Sequence, residues 1–127
     1  MPEDLFKNKL ILVVDDEERM ARFIRLNLEH DGFRVVEAYR GMQALDKVRT
    51  EMPDLVILDV MMPDVDGIGV LQHIVANFPK TKCIILTGYA TIKSSVDAIK
   101  QGAFDYIMKP ITASELIIVV EKALEFK

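Results

Sequence analysis

The stretch Asp54-Leu55-Val56-Ile57-Leu58-Asp59-Val60-Met61-Met62-Pro63-Asp64-Val65-Asp66-Gly67 decides how this chain folds. Its four consecutive apolar residues, 55–58, suit a short strand covered on both faces, as in the middle of a parallel sheet. The run stops at a carboxylate, Asp59, which directly follows Leu-Val-Ile-Leu and is therefore partly desolvated.

Working outward, the same kind of run recurs at 10–14, 33–38, 83–86 and 106–108, and three of the five runs are apolar nearly throughout. Between and after them lie stretches with helical spacing. Met20, Phe23, Ile24 and Leu28 form one stripe, stopped by Gly32; Ala44, Leu45, Val48 and Met52 form the next, closed by Pro53. Ile68, Leu71 and Val75 form the third, and Ile92, Val96, Ile99 and Ala103 the fourth. The fifth begins at Thr112-Ala113-Ser114-Glu115, a capping box, and carries Leu116, Val119, Val120, Ala123 and Leu124 on one face. Strand and helix repeated five times predict an α/β fold: an open, doubly wound parallel sheet of five strands with helices on both faces. In such sheets, ligands gather beyond the carboxyl ends of the strands.

Length and composition agree. The 127 residues suit one domain, and 50% hydrophobic with 28% charged residues is ordinary for a globular protein. A net charge of −4 disfavours a nucleic-acid-coating role. The single cysteine, Cys83, lies in an apolar run and reads as a buried small hydrophobe. There is no signal-peptide pattern and no apolar stretch near the roughly 18 residues a membrane helix needs. The expected location is the cytoplasm.

The strands end in Asp15-Asp16, Asp59, Thr87-Gly88 and Lys109-Pro110, so a parallel sheet gathers three carboxylates, a hydroxyl and an ammonium at one edge. Singly, each has an ordinary account: Asp15 or Asp16 as a helix cap, Thr87 as a loop hydroxyl, Lys109 as a solvated charge. Together, three acids repel one another and raise their own proton affinities, which a fold tolerates when a cation occupies the site. Hard oxygen ligands suit Mg²⁺, with Mn²⁺ as the substitute. Mg²⁺ beside a lysine and a threonine can receive a phosphoryl group, with a carboxylate as nucleophile. No glycine-rich phosphate loop is present, so the chemistry points to phosphoryl acceptance rather than nucleotide binding.

The pattern resembles the receiver domain of two-component response regulators along essentially the whole chain. The matching segments are residues 11–17, 54–67, 85–88 and 102–110, with 43 residues from Asp16 to Asp59, 28 to Thr87 and 22 to Lys109. Thr87-Gly88-Tyr89-Ala90 and Ala98-Ile99-Lys100-Gln101-Gly102-Ala103 are most similar to receivers of enhancer-binding transcription activators. The resemblance implies a flavodoxin-like sheet with strand order 2-1-3-4-5 and a single receiver domain over 1–127. It implies Asp59 as phosphoacceptor, Asp16 as a direct Mg²⁺ ligand, Asp15 acting mainly through a metal-bound water, and the Met61 carbonyl as a further ligand. Lys109 would bind phosphoryl oxygens, Thr87 would shift toward them, and Tyr106 would be the aromatic whose rotation reports activation. The Lys109-Pro110 peptide bond is expected to be cis. Pro63-Asp64-Val65-Asp66-Gly67 would turn the loop over the metal. His30 and His73 read as solvated helix residues.

The expected function is a switch phosphorylated by a sensor histidine kinase, not an independent enzyme. Its output is expected through the fourth helix, fifth strand and fifth helix, where Ile111, Ile117 and Ile118 supply apolar surface for a phosphorylation-dependent homodimer. Neither nucleic acid nor membrane is expected to bind this domain directly. A Mg²⁺-dependent aspartyl-phosphate phosphatase would need an acid two positions after the nucleophile, where Met61 stands. A phosphorylation-independent interaction module has no reason to concentrate three carboxylates. Met61 and Tyr89 offer little to align a hydrolytic water, so a long-lived aspartyl phosphate is expected. The chain stops at Glu121-Lys122-Ala123-Leu124-Glu125-Phe126-Lys127 with no helix cap, which reads as a receiver cut from a longer protein.

Overall fold

The computed structural model describes residues 8–88 and 91–125. Strands and helices alternate throughout: β1 (Leu10–Val14), α1 (Glu18–His30), β2 (Arg34–Ala38), α2 (Gly41–Glu51), β3 (Leu55–Leu58), α3 (Gly67–Asn77), β4 (Lys82–Thr87), α4 (Ile92–Lys100), β5 (Asp105–Met108) and α5 (Ala113–Glu125). The five strands form one parallel sheet in the order β2-β1-β3-β4-β5, as the family resemblance implies. The three most apolar runs became the three central strands, β1, β3 and β4. A strand covered on both faces has no solvent side on which to place polar residues. β1 and β3 begin and end at the expected residues. β4 extends one residue further at each end, because Lys82 pairs with Leu55 and Thr87 with Met108.

The sheet separates two apolar layers. Ile24 and Leu28 of α1 and Leu116, Val120 and Ala123 of α5 pack on one face, with Ile11, Ile57 and Leu86 of the sheet. On the other face, Ala44 and Val48 of α2, Val70, Leu71 and Ile74 of α3 and Ala98 of α4 meet Leu12, Leu58 and Ile85. The helices are therefore wound on both sides.

Several inward stripes differ from the expected ones. In α1, Ala21 is buried and Phe23 is 40% exposed. Met52 leaves the α2 stripe: it sits past the helix in a left-handed conformation (φ 50°) and faces solvent. The largest correction concerns α4, where Val96 and Ile99 lie outside and only the small Ala98, among the described side chains, is buried. Ile111, expected on the surface, packs in the core, and Ile117 is partly buried against it; Ile118 is exposed.

The backbone ladder runs on past the strand ends and fixes the residues just beyond them. The Asp15 N–H donates to the Ala38 carbonyl, the Asp59 N–H to Val14, and the Lys109 N–H to Thr87. The expected residues thereby share one edge. The Lys109-Pro110 bond is cis, as expected.

Candidate functional site

Three strands deliver the charged groups. Asp15 and Asp59 directly follow β1 and β3, and both are buried, at 2% and 6% exposure; Asp16 turns outward and is exposed. Oxygens of Asp15, Asp16 and Asp59 lie within 4.8 Å of one another. Lys109, following β5, reaches in from the opposite side. Its ammonium donates to Asp15 Oδ2 at 2.7 Å and to Asp59 Oδ2 at 2.8 Å. Thr87 at the end of β4 is fully buried. The site opens on a crevice of about 810 Å³ lined by Asp16, Asp59, Met61, Gly88 and Lys109, among others.

Burial raises the Asp15 pKa, opposed by hydrogen bonds from Lys109 and the Glu17 N–H; the charge of Asp59 adds only the smallest contribution upward. Mutual repulsion, the cause expected from the sequence, is thus secondary to desolvation. Burial also acts against the Lys109 ammonium, but its hydrogen bonds to Asp15 and Asp59 prevail, and its pKa is raised. Asp15 also accepts the Glu17 N–H at 2.9 Å, a turn just ahead of α1; it is not the expected helix cap, because the N-cap is Glu17 and makes no side-chain capping bond.

A match to the family model described as the response regulator receiver domain covers residues 11–121. The chain belongs to this receiver family. Among curated relatives, the receiver is 36% identical over 117 residues to the regulatory protein AtoC of Escherichia coli, covering 92% of this chain and 25% of AtoC. It is 40% identical over 114 residues to the transcriptional regulatory protein ZraR of Escherichia coli, covering 90% of this chain and 26% of ZraR. The chain thus spans about a quarter of the length of these relatives. Among solved structures, a CheY-like receiver domain protein from Methanospirillum hungatei superposes with a TM-score of 0.90 at 32% identity, covering 94% of this chain and 95% of that one. The receiver domain of NtrX from Brucella abortus gives 0.87 at 34% identity, covering 92% and 99%.

The receiver's other candidate residues fall around this centre. Met61 is 49% exposed and its N–H donates to Asp59 Oδ1 at 2.9 Å, which orients the carboxylate. Tyr106 on β5 is half-buried, and its hydroxyl shares a 2.7 Å hydrogen bond with Ser94 on α4. Tyr89 lies outside the described residues, as do residues 126–127. His30 and His73 are exposed on helices, away from the crevice. Burial pushes the Cys83 thiol up to about 12, so it is inert at neutral pH, as its apolar setting suggested. Among the described residues, no helix is long and apolar enough to cross a membrane.

Two residues were missed from the sequence. Ser94 forms a reciprocal capping box with Thr91 as well as meeting Tyr106. Thr91-Ile92-Lys93-Ser94 carries Ser where the usual motif has Glu or Gln, so the box has a weak sequence signal. Asp64, read as part of a turn, accepts the N–H groups of Gly41 and Met42 at 2.9 and 3.1 Å. Nothing in the local sequence announces a partner 23 residues away.

The donor set fits Mg²⁺. It consists of carboxylate oxygens, and three carboxylates beside one ammonium leave two negative charges, which a divalent cation balances.

Proposed function

We propose that this receiver is a phosphorylation-controlled switch in which Asp59 accepts a phosphoryl group from a phosphohistidine of a sensor kinase. The observation carrying this reading is the Lys109 ammonium held between Asp15 and Asp59, a counter-charge beside an oriented carboxylate. A carboxylate oxygen of Asp59 bonds to phosphorus as the phosphorus–nitrogen bond breaks. The imidazole leaves with the electron pair, neutral when its other nitrogen bears a proton. Lys109 then exchanges Asp59 for a phosphoryl oxygen, and the Thr87 hydroxyl supplies a further donor. Asp15, Asp16, Asp59 and the Met61 carbonyl are the residues that would hold Mg²⁺, or Mn²⁺ in its place, which neutralises charge on the transferred group.

Residues 1–127 act as one receiver domain, without turnover of an independent substrate. The output is a change of the face built from α4, β5 and α5, where Val96, Ile99, Met108 and Ile118 are exposed. Phosphorylation of Asp59 draws Thr87 toward the phosphoryl group and releases Tyr106 from Ser94, altering that face and its self-association. Met61 at the crevice rim has no strong donor or acceptor to align a hydrolytic water, which favours slow loss of the phosphoryl group.

Wild type and Asp59→Asn, incubated with acetyl phosphate and Mg²⁺ and weighed intact, test the assignment. Wild type should gain one phosphoryl mass and the variant none; equal uptake would overturn it.

A further inference from the structure

We propose that Asp64 is a positioning residue for phosphoryl transfer: it latches the loop carrying the Met61 carbonyl onto the start of α2. The proposal rests on the reading of the crevice as a Mg²⁺ and phosphoryl site. The first N–H groups of a helix lack partners within it and attract negative charge. α2 begins after Arg40, whose side chain makes no capping hydrogen bond. Instead, the carboxylate of Asp64, from the loop between β3 and α3, takes both the Gly41 and the Met42 N–H, one on each oxygen. These backbone bonds, led by that of Gly41, lower the Asp64 pKa.

Val60, Met62 and Val65 pack against the core, but the loop's other hydrogen bonds stay within its own stretch of chain. Met61 donates to Asp59, Met61 bridges to Asp66, Asp66 accepts the Ile68 N–H, and Gly67 donates to the Val60 carbonyl. They set the loop's shape. Apolar packing is non-directional, so fixing its place relative to Asp15 and Asp16, on a different strand, falls to a directional tie to another element, which Asp64 supplies. The approach is close: a Cβ on Gly41 would come within 1.9 Å of Val65 Cγ2. Glycine at 41 therefore belongs to the same latch, and Gly41→Ala should push the loop away from the other side.

A carboxylate that orients metal-binding groups without touching the ion changes affinity more than chemistry. Mg²⁺ titrations followed by amide chemical shifts should show Asp64→Ala binding about tenfold more weakly, and Asp64→Asn, which keeps one acceptor, about threefold more weakly. At saturating Mg²⁺, uptake from acetyl phosphate should return to within about twofold of wild type, because the reacting groups are intact. Leu124→Ala, in a helix on the opposite face of the sheet, serves as a control of lowered stability and should leave Mg²⁺ affinity unchanged. Wild-type affinity in both Asp64 variants overturns the proposal; if Asp64→Ala does not fold, wild-type affinity in Asp64→Asn alone does so. Should wild type itself bind no Mg²⁺, the reading of the crevice fails separately. Hydrogen exchange at Gly41 and Met42 then judges the latch, and exchange unchanged by Asp64→Asn overturns it.

Discussion

α3 and α4 cover the same face of the sheet, yet they are held in opposite ways. α3 buries Gly67, Val70, Leu71 and Ile74, starts on the Asp66 cap, and comes after a loop tied down at several points. α4 buries Ala98 among its described side chains, offers Val96 and Ile99 to solvent, and is fastened near its start by a hydroxyl pair, Ser94 and Tyr106. A firm α3 keeps the Asp59 side of the crevice in register. A lightly seated α4 lies at the low-stability end of the structure, where a small change in local interactions can move an element.

The strongest break is expected in the crevice itself, at Lys109. Lys109→Met removes the ammonium from between Asp15 and Asp59, and initial rates of uptake from acetyl phosphate at saturating Mg²⁺ should fall about 100-fold or more. A rate near wild type would show that the ammonium is only a structural counter-charge. Packing gives the next contrast. Leu71→Ala in α3 should cost about 2–5 kcal/mol in urea unfolding, and Val96→Ala in α4 within about 0.5 kcal/mol. Equal losses would erase the distinction between the helices.

Ser94→Ala sharpens it further. It removes the bond to Tyr106 together with the Thr91 N–H bond of the capping box, about 1–2 kcal/mol in all, and should speed amide exchange in α4 about fivefold to thirtyfold while leaving α3 unchanged. Uniform acceleration would mean that the two helices open together.

The smallest effect is on pH dependence. The folded pKa of Asp64 lies below the usual 3.8 because of its backbone bonds, so its contribution is present above that value and fades as pH falls through the folded pKa. Asp15, raised chiefly by burial, acts in the opposite direction over the acid range. Thermal melts of wild type and Asp64→Asn should therefore converge as pH drops below about 4, which isolates the Asp64 part. At the alkaline end, the raised pKa of Lys109 predicts stability that is complete below 10.5 and lost as pH climbs through the folded value.

How much of this was legible depends on how far each signal travels along the chain. β1 and β3 were read to the residue, because unbroken apolar runs end abruptly at Asp15 and Asp59. The convergence of Asp15, Asp16, Asp59 and Lys109 needed only parallel strands. α4 shows the boundary: Val96 and Ile99 repeat at helical spacing, which identifies a helix but not which side faces the sheet. Burial went to Ala98, whose small side chain allows close approach. Ile111 turned inward where apolar residues in excess of the last helix's core stripe suggested surface. The Asp64 bonds and the Ser94–Tyr106 pair depend on tertiary placement, so local pattern carried no trace of those contacts.

The strand order has a consequence for the chain during its synthesis. β2, β1 and β3 are neighbours and emerge first, so the sheet's first three strands can pair before β4 and β5 exist. Asp15, Asp16 and Asp59 would then be gathered while Lys109 is still 50 residues away from Asp59 along the polypeptide. Such a stage would leave the carboxylates without their built-in cation. Protease protection of ribosome-arrested chains ending before β5 should depend on Mg²⁺ more than that of the finished fold, and equal dependence would exclude such a stage. On this account, the last strand delivers a counter-charge as well as an edge.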